Sequence, residues 1–203
     1  MYNALATQEQ IEKTVTSLKA NGIESYVAKD GADAKVKVLE LIPQGAQVMT
    51  MTSVTLDSLG IAQEINESGN FDSVRAKFKT MDPKTQGREM RQLAAAPDYT
   101  VGSVHAVTED GKIIIASNTG SQLPVYAYGA EKVIWVVGTQ KIVKNLEDGT
   151  KRLYEYTLPL ESARANKAYN MTAGSAVRKE LIIHSEGTEG RMTIIFVPEV
   201  LGF

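Results

Sequence analysis

Cysteine is absent from the 203 residues, which excludes disulfides, thiol nucleophiles and cysteine-held iron–sulfur clusters from this chain. Histidine is almost as scarce. His105 and His184 stand far apart, and neither has an acidic or histidine neighbour at metal-ligand spacing. Each is expected to be a structural histidine on a strand, held by one hydrogen bond. Charge of one sign is lacking too: 22 basic against 24 acidic residues leave a net charge of −2, which argues against a broad basic face for nucleic acid. No apolar run approaches the roughly 18 residues that cross a bilayer. The stretch up to Leu18 carries Gln8, Glu9, Glu12 and Lys13 where a secretion signal would be apolar. A soluble, cytoplasmic protein is therefore expected. Gly-x-Gly-x-x-Gly, Gly-x-Ser-x-Gly and Walker patterns are also missing, which disfavours a classical dinucleotide fold, an α/β-type serine hydrolase and a P-loop.

What remains is ordinary globular material, 43% hydrophobic and 23% charged, long enough to build a sizeable core. With no repeat, low-complexity segment or linker, residues 1–203 read as a single domain. Thr7 and Gln10 form a capping-box pattern ahead of Ile11, Val15 and Leu18, and Asn21-Gly22 ends that helix. Ile23–Ala28 and Ala46–Thr52 are strand-like, with helices expected over Ala34–Leu41, Asp57–Glu67 and Asp82–Leu93. Tyr99–Thr108 and Lys112–Ala116 flank Glu109-Asp110-Gly111 and predict a hairpin. Gln122–Tyr128 suggests a short helix, Asn145–Tyr156 and Leu160–Tyr169 two helical pieces parted at Pro159, and Leu181–His184 and Met192–Val197 late strands. Lys132–Gly138 is a nearly continuous apolar run, the mark of a strand covered on both faces, with Trp135 in its core. The expected class is α/β, a mostly parallel sheet with a mixed hairpin, flanked by helices.

Ligands of open α/β sheets sit beyond the carboxyl ends of strands, so the loops there are the candidates. Ser53, Val54 and Thr55 follow a strand and precede a helix; their hydroxyls and amides suit an anion, or serve simply to cap the helix. Thr119, Gly120, Ser121 and Gln122 offer similar small polar groups. Asp110 and Gly111 are explained by the turn, whereas Glu109 is not and is the candidate nucleophile or acid–base carboxylate. Lys141, Lys144 and Arg164 are cations that could neutralise a small acid, though each taken singly suits a solvated surface.

Gly102-Ser103-Val104-His105-Ala106-Val107-Thr108-Glu109-Asp110-Gly111, Asn118-Thr119-Gly120-Ser121-Gln122 and Gly129 to Val143 resemble the core of the LUD (lactate utilisation) domain family. Ser53-Val54-Thr55-Leu56, Pro159 to Arg164 and Leu201-Gly202-Phe203 resemble other segments of its small-subunit type, so the likeness runs through nearly the whole chain. The resemblance implies a NagB/RpiA/CoA-transferase-like fold and an accessory or ligand-binding subunit in lactate oxidation, working with iron–sulfur partner subunits. The pocket would be bounded by Ser53–Thr55, Gly102–Glu109 and Thr119–Gln122, with Gly102, Ser103 and Lys141 among its ligand-binding residues. The alternative is a transferase or isomerase on an acyl-CoA or sugar phosphate with Glu109 as nucleophile or base, since Glu109-Asp110-Gly111 resembles the Glu-x-Gly turn of CoA transferases. Two departures stand out: His105 replaces a frequent Asn, and Ser121-Gln122 a usual Asn-Arg. Expected partners are a small organic acid or phosphorylated ligand, iron–sulfur subunits and a second copy of the chain, with no nucleic acid and no membrane span.

Overall fold

The computed structural model describes residues 2–169 and 174–203. The capping box forms as its pattern predicts: Thr7 Oγ1 accepts from Gln10 N–H, Gln10 Oε1 accepts from Thr7 N–H, and helix α1 runs Gln8–Ala20. Strand β1 (Glu24–Val27), helix α2 (Gly31–Glu40) and strand β2 (Gln47–Thr50) follow in the expected alternation. The helix expected over Asp57–Glu67 is instead two, α3 (Val54–Ser58) and α4 (Ile61–Glu67), because Gly60 adopts φ +63° between them. Strand β3 (Asp72–Ser73), α5 (Val74–Phe78) and α6 (Pro83–Ala95) complete the first half.

The expected hairpin is corrected in one respect. Tyr99–Thr108 is not one strand but two, β4 (Tyr99–Gly102) and β5 (Ala106–Thr108), which belong to different sheets. Strand β5 pairs antiparallel with β6 (Ile113–Ser117) through the Glu109-Asp110-Gly111 turn, where Gly111 takes φ +79°. Strand β7 (Lys132–Gly138), β8 (Ile142–Val143), α7 (Leu146–Arg152), α8 (Leu158–Tyr169), β9 (Lys179–Ile183) and β10 (Met192–Val197) follow.

Two sheets result. One has six strands in the order β1-β10-β7-β4-β2-β3, all parallel; the other is mixed, in the order β8-β5-β6-β9. The apolar run of β7 explains its central place. Val133, Trp135 and Val137 enter a core shared with α1 and the small sheet, while Ile134 and Val136 enter a second core beneath α2, α3 and α4. Trp135 is fully buried and meets Tyr126 edge-on at 5.3 Å between ring centroids.

Two helical expectations change shape. Gln122–Tyr128 is helical from Leu123 onward, but it widens into a π-type turn over Val125–Gly129, packed so tightly that a Cβ on Gly129 would lie 1.6 Å from the Ala95 carbonyl oxygen. Residues 146–169 are continuously helical rather than parted at Pro159. A π-type turn, Leu153–Thr157, joins α7 to α8, with Leu158 N–H reaching back five residues to Leu153 O. That widened turn lies where the proline ring would otherwise meet the carbonyl four residues earlier, which is why Pro159 does not end the helix. No helix among the described residues is long and apolar enough to cross a membrane.

Candidate functional site

Adjacent pairing of β7, β4 and β2 brings three carboxyl-terminal loops side by side: Met51–Ser53, Ser103–His105 and Thr139–Lys141. They floor a cleft of about 730 Å³, walled by the 117–122 loop, residues 174–177 and one side of α8. This is the rim at which open parallel sheets place ligands.

Lys141 is the site's central group. It sits in a 3₁₀ turn, Thr139–Lys141, between the end of β7 and β8, and is only 2% exposed although it faces the cleft. Its Nζ donates to Ser103 Oγ at 3.1 Å and Thr55 Oγ1 at 3.3 Å, and among the described residues no carboxylate pairs with it. Burial, reinforced by the positive charge of Arg152, pulls its pKa down to about 7. The amine therefore exchanges its proton near neutral pH instead of carrying a fixed charge. The turn is braced by the segment beyond β10: Thr55 Oγ1 and Gln140 Nε2 both donate to Leu201 O, and Gly202 at φ +59° leaves no room for a Cβ, which would lie 2.6 Å from Thr55 Oγ1.

That bracing makes Gly138 sensitive. A Cβ there would lie 2.6 Å from Glu199 O and 2.9 Å from Leu201 N, both backbone atoms that cannot swing aside. Gly138→Ala is expected to cost about 1–3 kcal/mol by overpacking, read as a fall in the chemical denaturation midpoint. An unchanged midpoint would show that the brace yields freely.

His105 stands beside Lys141 on the cleft wall. Its Nδ1 accepts the Ala116 N–H at 3.1 Å, which assigns the proton of the neutral ring to Nε2. Burial first, then the charges of Lys141 and Arg152, push its pKa down to about 3. Arg152 lies behind both, fully buried, donating to His105 O at 2.6 Å and to Thr157 Oγ1 at 3.0 Å.

The residues marked in the sequence divide between cleft and scaffold. Ser53, Val54, Thr55, Ser103, Thr119, Ser121, Gln122 and Lys141 all line the cleft. Ser53 also caps α3, accepting from Leu56 N–H, so the capping and lining roles coexist. The second loop is largely committed to itself: Gly120 N–H donates to Ser117 Oγ, Ser121 N–H to Thr119 Oγ1, Thr119 Oγ1 to Ser121 Oγ and Gln122 Nε2 to Ala116 O, although Thr119, Ser121 and Gln122 line the cleft. Gly102 and Gly120 do not line it. A Cβ on Gly102 would lie 1.8 Å from the Tyr126 hydroxyl, and one on Gly120, at φ +87°, 2.5 Å from Lys179 Cδ, so both serve packing.

Glu109 is brought nowhere near the other candidates. It sits outside the cleft, paired with Lys13 Nζ at 2.8 Å and accepting from Gln10 Nε2 at 3.1 Å, so that it fastens the β5–β6 turn to α1. The Lys13 ammonium and then the Gln10 amide hold its carboxyl below the usual carboxylate range. A carboxylate so engaged is a poor nucleophile and a poor base.

Three cations join Lys141 in the lining. Arg164, noted in the sequence, makes a bidentate pair with Glu161 at 2.7 Å for each bond. Arg75 and Arg91 carry no signal in the sequence; Arg75 donates to Thr50 O and Thr52 Oγ1 at the end of β2, and Arg91 projects from exposed α6. Each looks like a solvated helical charge in sequence, and only the packing of α5 on β2, and of α6 on α5 and the Val125–Gly129 turn, brings them to the cleft. Among the described residues three arginine side chains and the proton-exchanging Lys141 thus line the cleft, and Glu161 is the acidic side chain beside them. Among the described residues no group of three His, Asp or Glu is placed to hold a metal ion.

Comparison with known proteins agrees with this architecture. The crystal structure of a DUF162 family protein from Deinococcus radiodurans superposes with a TM-score of 0.59 at 12% identity, over 96% of this chain and 99% of that one. At that identity the likeness speaks for the fold alone. No curated protein sequence matches the chain. The family model of the LUD domain matches residues 11–197, nearly the whole length; the chain belongs to the LUD domain family.

Proposed function

We propose that this chain is a ligand-binding subunit for a small organic acid in lactate-related metabolism. The observation that carries the proposal is the lining of the cleft: among the described residues Arg75, Arg91 and Arg164 stand with Glu161 on its walls and Lys141 on its floor, with Ser and Thr hydroxyls between them. A cavity with that lining favours a compact anion able to accept several hydrogen bonds. Membership of the LUD domain family supports lactate or its oxidised counterpart as the acid, and an oxidation carried out by an iron–sulfur partner or a bound cofactor, since the chain has no cysteine of its own. A transferase or isomerase acting through Glu109 draws no support from its placement outside the cleft.

A thermal-shift series with lactate, pyruvate, acyl-CoA esters and sugar phosphates tests the proposal. A ligand at 100 times its dissociation constant adds about 2.7 kcal/mol, or roughly 5–10 °C for a chain this long. Small 2-hydroxy or 2-oxo acids are expected to give the shift, and Glu109→Gln to leave it intact. If no small carboxylate moves the midpoint, or if Glu109→Gln removes the shift, the cleft is not the organic-acid site.

A further inference from the structure

We propose that the Lys141 amine captures a 2-oxo acid covalently, condensing with its carbonyl carbon to form an imine at the floor of the cleft. This rests on the organic-acid reading and goes beyond it by naming the reacting atom and the class of acid. Three features of the site lead there. A lysine that serves only as a counter-charge keeps its ammonium paired or solvated, whereas Lys141 is 2% exposed and, among the described residues, its hydrogen bonds go to the neutral hydroxyls of Thr55 and Ser103. Thr55 Oγ1 donates its own proton to Leu201 O, so it presents a lone pair to Nζ and fixes the amine's direction. The arginines lie on the surrounding wall rather than against Nζ, so a bound acid can set its carboxylate among them and turn its carbonyl to the floor.

The chemistry balances without a further reactant. The lone pair of neutral Nζ forms a C–N bond to the carbonyl carbon while the C=O π pair moves to oxygen. That oxygen takes up a proton and Nζ releases one, giving a carbinolamine. Loss of water then forms C=N. A depressed lysine pKa supplies the neutral amine this step needs. The Nε2–H of neutral His105, on the same wall, is suited to donate to the carbonyl oxygen as negative charge develops there.

Trapping with cyanoborohydride decides the matter on the full-length protein. Incubation with pyruvate and reductant is expected to add, per chain, the mass of pyruvic acid less one oxygen atom. Peptide mapping should place the adduct on Lys141, at least tenfold above the exposed Lys144. Trapping should strengthen as pH rises through about 7. It should be at least tenfold weaker with acetone, which lacks the carboxylate, and absent with lactate, which lacks the carbonyl. Lys141→Arg should abolish it; should that variant misfold, the peptide map and pH profile of the native chain still decide. If pyruvate shifts the melting temperature but Lys141 is not the labelled residue, imine formation is overturned and the organic-acid site stands. If pyruvate neither shifts nor labels the protein, both fall.

Discussion

Lys141→Met is expected to make the protein more stable at neutral pH while abolishing its response to organic acids. In the unfolded chain this amine holds its proton up to its ordinary pKa of 10.5, whereas in the folded protein it releases it at about 7. Between those values the unfolded state binds one proton that the native state does not, so native stability rises with pH across that window and its deficit is greatest below pH 7. Methionine fills a comparable volume without a charge to desolvate. Allowing for the lost contacts with Thr55 and Ser103, the gain at pH 6.5 should be roughly 2–4 kcal/mol, shrinking towards zero near pH 10. Urea denaturation of both proteins at several pH values reads this directly. A variant less stable than the parent, by the same amount at every pH, would mean that Lys141 is an ordinary buried ion stabilised by its surroundings. Stability given up at one buried group is the usual signature of a residue retained for function.

The second large effect lies on the acid side. Folded His105 stays neutral down to about pH 3, while the unfolded chain protonates it near 6.5. The unfolded state therefore binds the extra proton between those values, and stability drains away as pH falls from 6.5 towards 3. Water in the cleft screens part of the shift, leaving about 2–3 kcal/mol by pH 4. His105→Asn isolates this contribution from the carboxylates that titrate in the same range. Its Oδ1 takes the place of Nδ1 as acceptor for the Ala116 N–H, but it binds no proton. Denaturation midpoints measured from pH 7 to pH 4 should fall less steeply for the variant, the two curves separating below pH 6.5. Parallel curves would place the native imidazole in contact with enough solvent to protonate normally.

What the sequence revealed and what it concealed separate along a physical line. Local signals were reliable: the Thr7 and Gln10 box, the Asp110-Gly111 turn and the unbroken apolar run of β7 each depend on a few consecutive residues. The loops at Ser53–Thr55 and Thr119–Gln122 also follow from the order of elements, and both contribute side chains to the cleft lining. The rest is hidden wherever a distant partner decides the outcome. Nothing within Tyr99–Thr108 announces that β4 pairs with β2 and β7 while β5 turns away to β6 and β8. Glu109 looked like a spare carboxylate because Lys13 and Gln10, which occupy it, lie 96 and 99 positions away. Lys141 was visible as a cation after a strand, but its burial depends on Leu201 and Gly202 folding back across the turn.

The π-type turn at Leu153–Thr157 has one more consequence. Five residues span it where about four would span a regular helical turn, so it acts as a one-residue insertion tolerated inside a continuous helix. Leu153, Thr157, Leu158, Glu161, Arg164 and Ala165 all reach the cleft because that extra residue resets the helical phase between the first of them and the rest. Deleting it would turn α8 by about 100° and carry the Glu161–Arg164 pair off the wall. Chain length at one point thus tunes the charge of the cleft without any change of side chain.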